Sequence, residues 1–340
     1  MVVWSILGKT LTITWFVTVM MVLVEYANVL SVDRLRSALC GSRWAQYVVA
    51  AALGATPGCL GAFVVVALFI HRSVRLGAVV ACMIATSGDE AFVMLATFPR
   101  TALLLTPALF LIGVLAAILT DVFSDSASPD RGCADMVVHD SAPSCRCFDP
   151  ATILFELRQP SAARGTLVVG ALLFVLAVLS GTVGPAEWNW IRVTFLGVGL
   201  FALFVVATVP EHFIAEHLWR HIVVQHAPRI FLWTFASMTL VAVLDASINA
   251  EAFLRHNPWL ALVGAAVLGL VPESGPHLVV VMLYAAGSIP VSALIASSIV
   301  QDGHGMLPLL AHSWRDFIKV KAINLVAGIL VGGALMMAGW

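Results

Sequence analysis

Long apolar stretches alternate with short polar ones along the whole chain. Ten hydrophobic segments are close to, or longer than, the roughly 20 residues that a helix needs to span a bilayer. They cover residues 10–31, 45–70, 76–97, 101–121, 165–184, 191–209, 230–250, 258–286, 290–310 and 321–340. Only 122–164, rich in Asp, Ser and Pro, and 210–229, rich in His, are sizeable polar stretches. This pattern predicts an all-α polytopic membrane protein, with residues 1–340 forming one transmembrane domain.

The composition supports the same class of protein. Hydrophobic residues make up 61% of the chain and charged residues 11%, against about 25% charged residues in soluble domains. The mean hydropathy is +0.99. The net charge of −1 gives no field that would attract nucleic acid, and six cysteines in 340 residues do not form a disulfide framework. A nucleic-acid binder and a secreted disulfide scaffold are therefore excluded.

Two of the segments carry related sequences at a fixed spacing. GATPGCLGAFVVV begins at Gly54 and GLVPESGPHLVVV begins at Gly269, an offset of 215 residues that also aligns Gly88 with Gly303. Hydrophobic segments interrupted by Pro or Gly in both halves of a chain are typical of transporters with a site at mid-membrane. The offset predicts repeat 1 over 10–121, a cytoplasmic polar loop over 122–164, linking helices and an amphipathic segment over 165–229, and repeat 2 over 230–340. The alternative is a pair of kinked helices, since Pro is tolerated in membrane helices.

The Lys and Arg residues choose between two topologies. If all ten segments cross the membrane, nine of these residues lie on each side, and the positive-inside rule gives no orientation. If 45–70 and 258–286 are instead re-entrant hairpins that turn at their prolines, one face carries 14 and the other 4. The four are Lys9, Arg100, Arg192 and Arg255. This arrangement predicts eight crossings, two hairpins, inverted repeats and both termini outside.

Ionisable residues cluster where the segments are interrupted. Such residues are costly in lipid and mark functional sites. Carboxylates with some imidazole suit Mn²⁺ or Fe²⁺, and less specifically Zn²⁺. The predicted metal ligands are Asp89, Glu90, Glu273, His277, Asp302 and His304. The predicted supporting groups are Ser87, Ser274, Gln301, Cys59, Glu25, Asn28, Asp245 and Asn324, with Glu25 and Asn28 ending the first helix. The alternative is that these groups pair with each other to hold broken helices together.

Two further groups of residues could hold a metal ion. Residues 211–229 offer Glu211, His212, Glu216, His217, His221 and His226 as a cytoplasmic collecting site, with His217 and His221 on one face of an α-helix at i,i+4. The alternative is an amphipathic helix at the membrane surface. The polar loop carries Cys133, His139, Cys145 and Cys147, whose spacing matches no strict zinc pattern. A flexible linker is the alternative for that loop.

Five motifs in order carry a resemblance to a known family. They are GATPGCLGAF, IATSGDEAFVML, PEHFIAEHLWRHI, GLVPESGPHLVVV and SSIVQDGHGMLPLL, the last followed by KVKAIN. Together they resemble the bacterial ten-helix heavy-metal exporters, a family labelled as manganese transporters or arsenic efflux proteins and remotely related to the organoarsenical permeases. The resemblance covers residues 10–340 apart from the 122–164 loop. It implies efflux of a metal or metalloid ion across the bacterial cytoplasmic membrane.

The sequence therefore predicts a secondary exporter of a divalent metal, most of all Mn²⁺, driven by proton exchange. Its predicted partners are the metal ion, protons and the bilayer, and a homo-oligomer is a further possibility. We expect no prosthetic group and no nucleic acid. The alternative within the class is efflux of arsenite or an organoarsenical through Cys59. The alternative in another class is an intramembrane metalloprotease, but the chain has no H-E-x-x-H motif. We expect no enzymatic activity.

Overall fold

A computed structural model describes residues 2–39, 42–58, 60–123, 161–184, 187–188, 190–248 and 250–340. Every regular element within these ranges is a helix. In chain order the helices are α1 Val2–Leu39, α2 Arg43–Ala55, α3 Leu60–Ile70, α4 Leu76–Ala85, α5 Glu90–Thr97, α6 Pro99–Phe123, α7 Ala162–Ser180, α8 Trp190–Thr208, a short turn Glu211–Phe213, a π-helix Ile214–His226, α9 Ala227–Ile248, α10 Ala250–His256, α11 Pro258–Leu268, α12 Ser274–Ala285, α13 Val291–Val300, a 3₁₀ turn Gly303–Met306, α14 Leu307–His312 and α15 Trp314–Met337.

Each of the ten predicted segments coincides with one helix or with consecutive helical pieces, so the all-helical prediction is confirmed. Two boundaries were wrong. Helix α1 continues to Leu39, so Glu25 and Asn28 do not end it. Helix α15 begins at Trp314 rather than at 321, which places Lys321 about two turns inside the helix. A charged residue at that depth shortens the apolar run but does not end the helix.

Five helical stretches in the described ranges are long and apolar enough to cross a membrane. They are Trp4–Leu23, Leu76–Thr97, Pro99–Phe123, Ala162–Ser180 and Trp314–Met337. The stretch Leu76–Thr97 differs from the others because 94% of its most apolar window is buried, against about a third or less elsewhere. This stretch contains the break between α4 and α5. Protein therefore surrounds its irregular backbone, as a membrane interior requires.

The described residues form two compact units, one within 1–31 and 137–232 and the other within 32–136 and 233–340. In the first unit, an arginine of α7 bonds to carbonyl groups at the end of α8, and an arginine of α8 bonds to carbonyl groups at the end of α7. Arg164 in α7 donates to the carbonyls of Val206 and Val209 at the end of α8, and Arg192 in α8 donates to those of Val178 and Leu179 at the end of α7. These cations satisfy carbonyls that have no partner within their own helix.

The His-rich stretch of the first unit is a π-helix over Ile214–His226. Its hydrogen bonds join residues five apart rather than four. The ring of His212 therefore lies near that of His217, and the ring of His221 near that of His226. The segment is thus a π-helix rather than an α-helix, and that His217 and His221 share one helix face stays a prediction.

The second unit contains α2–α6 and α10–α15, and one carboxylate holds three of its helix ends together. Asp121, near the end of α6, accepts hydrogen bonds from the Tyr47 hydroxyl at 2.6 Å and from the Gly77 backbone N–H at 2.9 Å. Gln46 at the start of α2 accepts a hydrogen bond from the backbone of Arg75, just before α4. The beginnings of α2 and α4 and the end of α6 therefore lie together. A carboxylate at the start of α4 also complements the helix dipole.

Helix bounds in the second unit recur at the 215-residue offset. Helix α4 at 76–85 corresponds exactly to α13 at 291–300, and the starts of α6 and α15 at 99 and 314 correspond in the same way. Backbone details recur too. Gly88 and Gly303 both have a φ of 53°. A Cβ on Gly113 would meet the carbonyl oxygen of Ala81 at 2.6 Å, and one on Gly328 would meet that of Ala296 at 2.8 Å, each pair again 215 residues apart.

Candidate functional site

The first helix break joins α4 to α5. Helix α4 ends at Ala85, Thr86 is extended, and Gly88 adopts a left-handed conformation that allows the chain to re-enter a helix at Glu90. The hydroxyl of Thr86 accepts a hydrogen bond from the Gly88 N–H. Asp89 occupies the position before α5, and Asp89 and Glu90 are both buried. The break therefore brings two carboxyl groups into the interior of the second unit.

The second break has the same geometry at the equivalent residues. Gln301 is extended after α13, Gly303 is left-handed, and the side-chain oxygen of Gln301 accepts from the Gly303 N–H at 3.1 Å. The Gln301 amide also donates to the carbonyl oxygen of Thr86 at 2.8 Å. Thr86 and Gln301 are themselves 215 residues apart, so the two breaks meet through residues that the same offset relates.

Asp302 at the second break forms a buried ion pair. Its Oδ2 lies 2.6 Å from Nζ of Lys321, and its Oδ1 accepts from the amide of Asn324 at 2.9 Å. The ammonium group of Lys321 also donates to the carbonyl oxygens of Gly269 and Val300. The predicted supporting role of Asn324 thus corresponds to a direct contact with Asp302. Lys321, which sequence analysis counted among the 14 basic residues of one membrane face, is instead about 5% exposed.

His277 is fully buried on α12. Its Nδ1 lies 2.7 Å from Oγ of Ser297, and its Nε2 has no hydrogen-bond partner among the described residues. The residues equivalent to His277 and Glu90 at the 215-residue offset are Ala62 and Gly305. Ala62 and Gly305 are packed so closely that a Cβ on the glycine would collide with the alanine methyl group. The 215-residue offset thus relates a tight contact between two small residues, Ala62 and Gly305, to two ionisable residues, His277 and Glu90.

The structure places only some of the other predicted ligands at these two breaks. His304 lies in the 3₁₀ turn and Glu273 directly before α12, and both are partly exposed. Ser87 is buried in the first break. Within the described ranges, no three His, Cys, Asp or Glu side chains are placed so that they could hold a metal ion. Cys59 and the side chains of Asn28, Asp245 and Ser274 lie outside what the structure describes, as do the loop residues Cys133, His139, Cys145 and Cys147.

The predicted collecting residues have partners of their own in the first unit. His217 Nδ1 lies 2.9 Å from the carboxylate of Glu25, and His226 Nε2 lies 3.1 Å from His221 Nε2. Glu211 accepts from Arg164. Glu216 pairs with Arg220. Glu25 thus contacts the His-rich segment of its own unit, and these contacts hold that segment in place without gathering three ligands.

Lys321 is the candidate site residue that sequence analysis missed. It was counted among the 14 basic residues of one membrane face, because it begins the last apolar run. One signal could have identified its depth: the 215-residue offset aligns Lys321 with Thr106, which lies inside the segment 101–121 rather than at its edge. Alignment to the repeat therefore locates a charge better than the local hydropathy does.

The apolar helices and the enclosed helix breaks define a multi-pass membrane protein. A family model described as "Putative, 10TM heavy-metal exporter" matches residues 1–336, and the chain belongs to this family. The resemblance inferred from the five motifs is thereby confirmed. Comparisons with curated proteins and with solved structures find no match. The family supports export of a heavy metal in general terms and identifies no particular ion.

Proposed function

We propose that this protein exports a divalent transition-metal ion, Mn²⁺ above all, across the bacterial cytoplasmic membrane in exchange for protons. The site comprises Asp89, Glu90, Glu273, His277, Asp302 and His304. Carboxylates and imidazoles are ligands for such ions, and a carboxylate or imidazole that loses the ion can accept a proton. The metal ion is the substrate, and the fold needs no prosthetic group.

The observation that carries the proposal is the hydrogen bond from Gln301 to the Thr86 carbonyl oxygen. It joins two helix breaks at equivalent points, and each break carries a buried carboxylate in the adjoining residues. Ionisable groups buried in a membrane protein are expensive and are found where ions pass. Broken helices that meet inside a transporter also supply free backbone carbonyls and half-helix ends to the ion.

The difference between the two repeats supports a single, off-centre site. Ala62 and Gly305 close one of the two equivalent positions by direct contact. At the other position the chain has His277 and Glu90, with Ser297 bound to the imidazole. An ion that needs oxygen and nitrogen ligands would therefore bind on the Glu90 and His277 side. The buried Nε2 of His277 is a nitrogen donor available for that purpose.

We further propose that the two halves are inverted repeats, each with a re-entrant hairpin formed by α2 and α3 or by α11 and α12. Two contacts support the hairpins. Gln46 at the start of α2 bonds to Arg75 beyond α3, and Arg255 before α11 bonds to the carbonyl oxygen of Gly287 beyond α12. In each hairpin, the start of the first arm thus lies near the end of the second arm. Removing the buried Lys321 from the charge count still leaves a large excess on the same face.

The hairpin topology predicts which face can be labelled. A cysteine at exposed His71, in a variant whose native cysteines are serine, should react with an impermeant maleimide only after the cells are opened. A cysteine at Arg100 should react in intact cells, because Arg100 belongs to the face with four basic residues. Labelling of position 71 from outside would contradict the hairpin between α2 and α3.

Arsenite or organoarsenical efflux is the rival within the class. As(III) prefers two or three converging thiolates, and the described residues contain one free cysteine, the buried Cys82. Cys59, on which the rival depends, lies outside the described residues. An intramembrane metalloprotease, the alternative in another class, would need a metal centre built around a motif that this chain lacks.

The decisive experiment measures the metal content of cells with and without the protein. Cells are loaded with Mn, Fe, Zn, Co or As, and the retained amount is determined by mass spectrometry. We expect lower Mn, with little change in As. Everted vesicles with an imposed pH gradient then report direction and proton coupling. A lower arsenic content with unchanged divalent metals would reject the proposal.

The polar loop should be dispensable for export. Residues 128–147 contain all three loop cysteines, and we interpret them as part of a linker between the repeats. Deleting them should leave at least about half of the export activity, because none of the proposed ligands is removed. Mn²⁺ retention is measured at equal membrane expression, with replacement of the same length by Gly and Ser as the control. Complete loss in both variants would place the loop in the transport pathway.

A further inference from the structure

The ammonium group of Lys321 lies in a pocket made of oxygen atoms. Its Nζ is 2.6 Å from Oδ2 of Asp302, 3.1 Å from the Gly269 carbonyl oxygen and 3.2 Å from the Val300 carbonyl oxygen. Gly269 follows the last residue of α11, and Val300 ends α13. Carbonyls at helix ends lack intrahelical partners and carry the negative end of the helix dipole. The pocket is therefore built to stabilise a cation.

The same oxygen atoms form the ligand set of a hard metal ion. One carboxylate and two backbone carbonyls are typical of sites for hard cations such as Ca²⁺. Asn324 adds to this set. Its amide nitrogen donates to Asp302, while its Oδ1 is fully buried and has no hydrogen-bond partner in the described part of the chain. That oxygen adjoins the pocket and is a further ligand for an ion of higher charge than an ammonium group.

The fold of a repeat does not itself require this pair of charges. The residues equivalent to Lys321 and Asp302 in repeat 1 are Thr106 and Ser87. Thr106 donates a hydrogen bond to the carbonyl oxygen of Ala102 in its own helix. Helices α4 and α13 nevertheless have corresponding bounds, α6 and α15 begin at corresponding residues, and the close glycine contacts recur at the same offset. The ion pair is thus an addition to repeat 2, made where a break brings Asp302 into the interior.

We propose that the Lys321 ammonium group occupies a cation-binding position when no metal is bound, and that the transported divalent ion replaces it there. This inference rests on the proposed function. A tethered ammonium group competes at the millimolar effective concentration of an intramolecular ligand. A monovalent ion carries the same charge and gains little by displacing it, whereas a divalent ion gains a second charge. Lys321 therefore acts as a specificity-determining residue that keeps Na⁺ and K⁺ out of the site.

The test compares wild type with Lys321→Met, Asp302→Asn and the double variant. Each protein is purified in detergent, and its melting temperature is followed in increasing MnCl₂ or NaCl. We expect Lys321→Met to bind Mn²⁺ about tenfold more tightly than wild type and to gain a stabilisation by Na⁺ that wild type lacks. Both gains should disappear in the double variant. A folded Lys321→Met protein with wild-type responses to both ions would overturn the inference.

The double variant also keeps the question open to test if Lys321→Met does not fold. It removes both charges, so no buried charge is left without a partner. A purely structural ion pair predicts that this variant, if it elutes like wild type, exports metal normally, and that result would overturn the inference. The supporting result is that Na⁺ does not stabilise this variant, because the pocket has lost its carboxylate, whereas stabilisation of it by Na⁺ would overturn the inference.

Failure of the inference can be told apart from failure of the proposed function. If wild type exports arsenite and not Mn²⁺, the gain of Na⁺ binding in Lys321→Met still reports on the pocket. If wild type exports Mn²⁺ and Lys321→Met gains no cation binding, only the role of Lys321 is rejected.

Discussion

Replacing Asp89 by Asn should abolish Mn²⁺ export at normal membrane expression. The carboxyl group is buried at the break before α5. A divalent ion in a low-dielectric site needs about two negative charges and several oxygen ligands. Loss of one charged ligand should cost about 3 kcal/mol, or about a hundredfold in affinity. Export is measured as retained Mn in loaded cells, and affinity as the Mn²⁺ dependence of uptake into everted vesicles.

Glu273→Gln and Asp302→Asn should have the same effect on export, whereas Cys59→Ser should keep most of it. One matched control removes a carboxylate from a partly exposed ion pair. Asp316→Asn loses a partner of Lys319 and should export normally. If only Cys59→Ser lost activity while the three carboxamide variants still exported, a thiol-bound metalloid would replace the divalent ion.

The helices of this chain could be predicted because lipid imposes a strong pattern on sequence. Each spanning segment needs an apolar run, and each interruption within such a run needs Pro, Gly or a polar residue. The breaks at Thr86–Asp89 and Gln301–Asp302 follow from this rule. The π-helix over Ile214–His226 does not follow from this rule. Hydropathy reports the period of a helix, and this short polar stretch is compatible with several periods. Pairing of its histidines therefore could not be predicted.

The sequence could single out individual candidate residues but not the contacts that they form. Asp302 stood out as a carboxylate in an apolar run. Its partner Lys321 lies 19 residues further along, at the edge of another run, and only the tertiary fold places the two side chains 2.6 Å apart. Likewise, the offset of 215 residues predicted that Thr86 and Gln301 correspond. It did not predict that they would bond to each other, because that depends on how the repeats pack.

Close packing around the breaks makes certain glycines indispensable, and Gly54 is the clearest case. An added Cβ at Gly54 would collide with the backbone of Cys82 in α4, which carries the first break. Backbone atoms cannot rotate away as a side chain can, so α2 would have to separate from α4. Gly54→Ala should therefore destabilise the protein by about 3 kcal/mol, the upper range for overpacking in a well-packed interior.

Two other glycines, Gly269 and Gly264, offer matched controls for that prediction. At the equivalent Gly269, a Cβ would meet the Val300 side chain at 3.0 Å and the Ser297 carbonyl oxygen at 3.1 Å, so Gly269→Ala should cost about 1 kcal/mol. Gly264 in α11 has open space around it, and Gly264→Ala should be neutral or slightly stabilising because Ala favours a helix over Gly by about 1 kcal/mol. The fraction of protein that elutes as a folded peak after heating, measured in detergent, gives the order of the three variants. Equal losses for Gly54→Ala and Gly264→Ala would mean that α2 does not pack against α4 at Cys82. In that case the first break, which holds Asp89 and Glu90 in place, would be packed less tightly, and export would have to tolerate this looser packing.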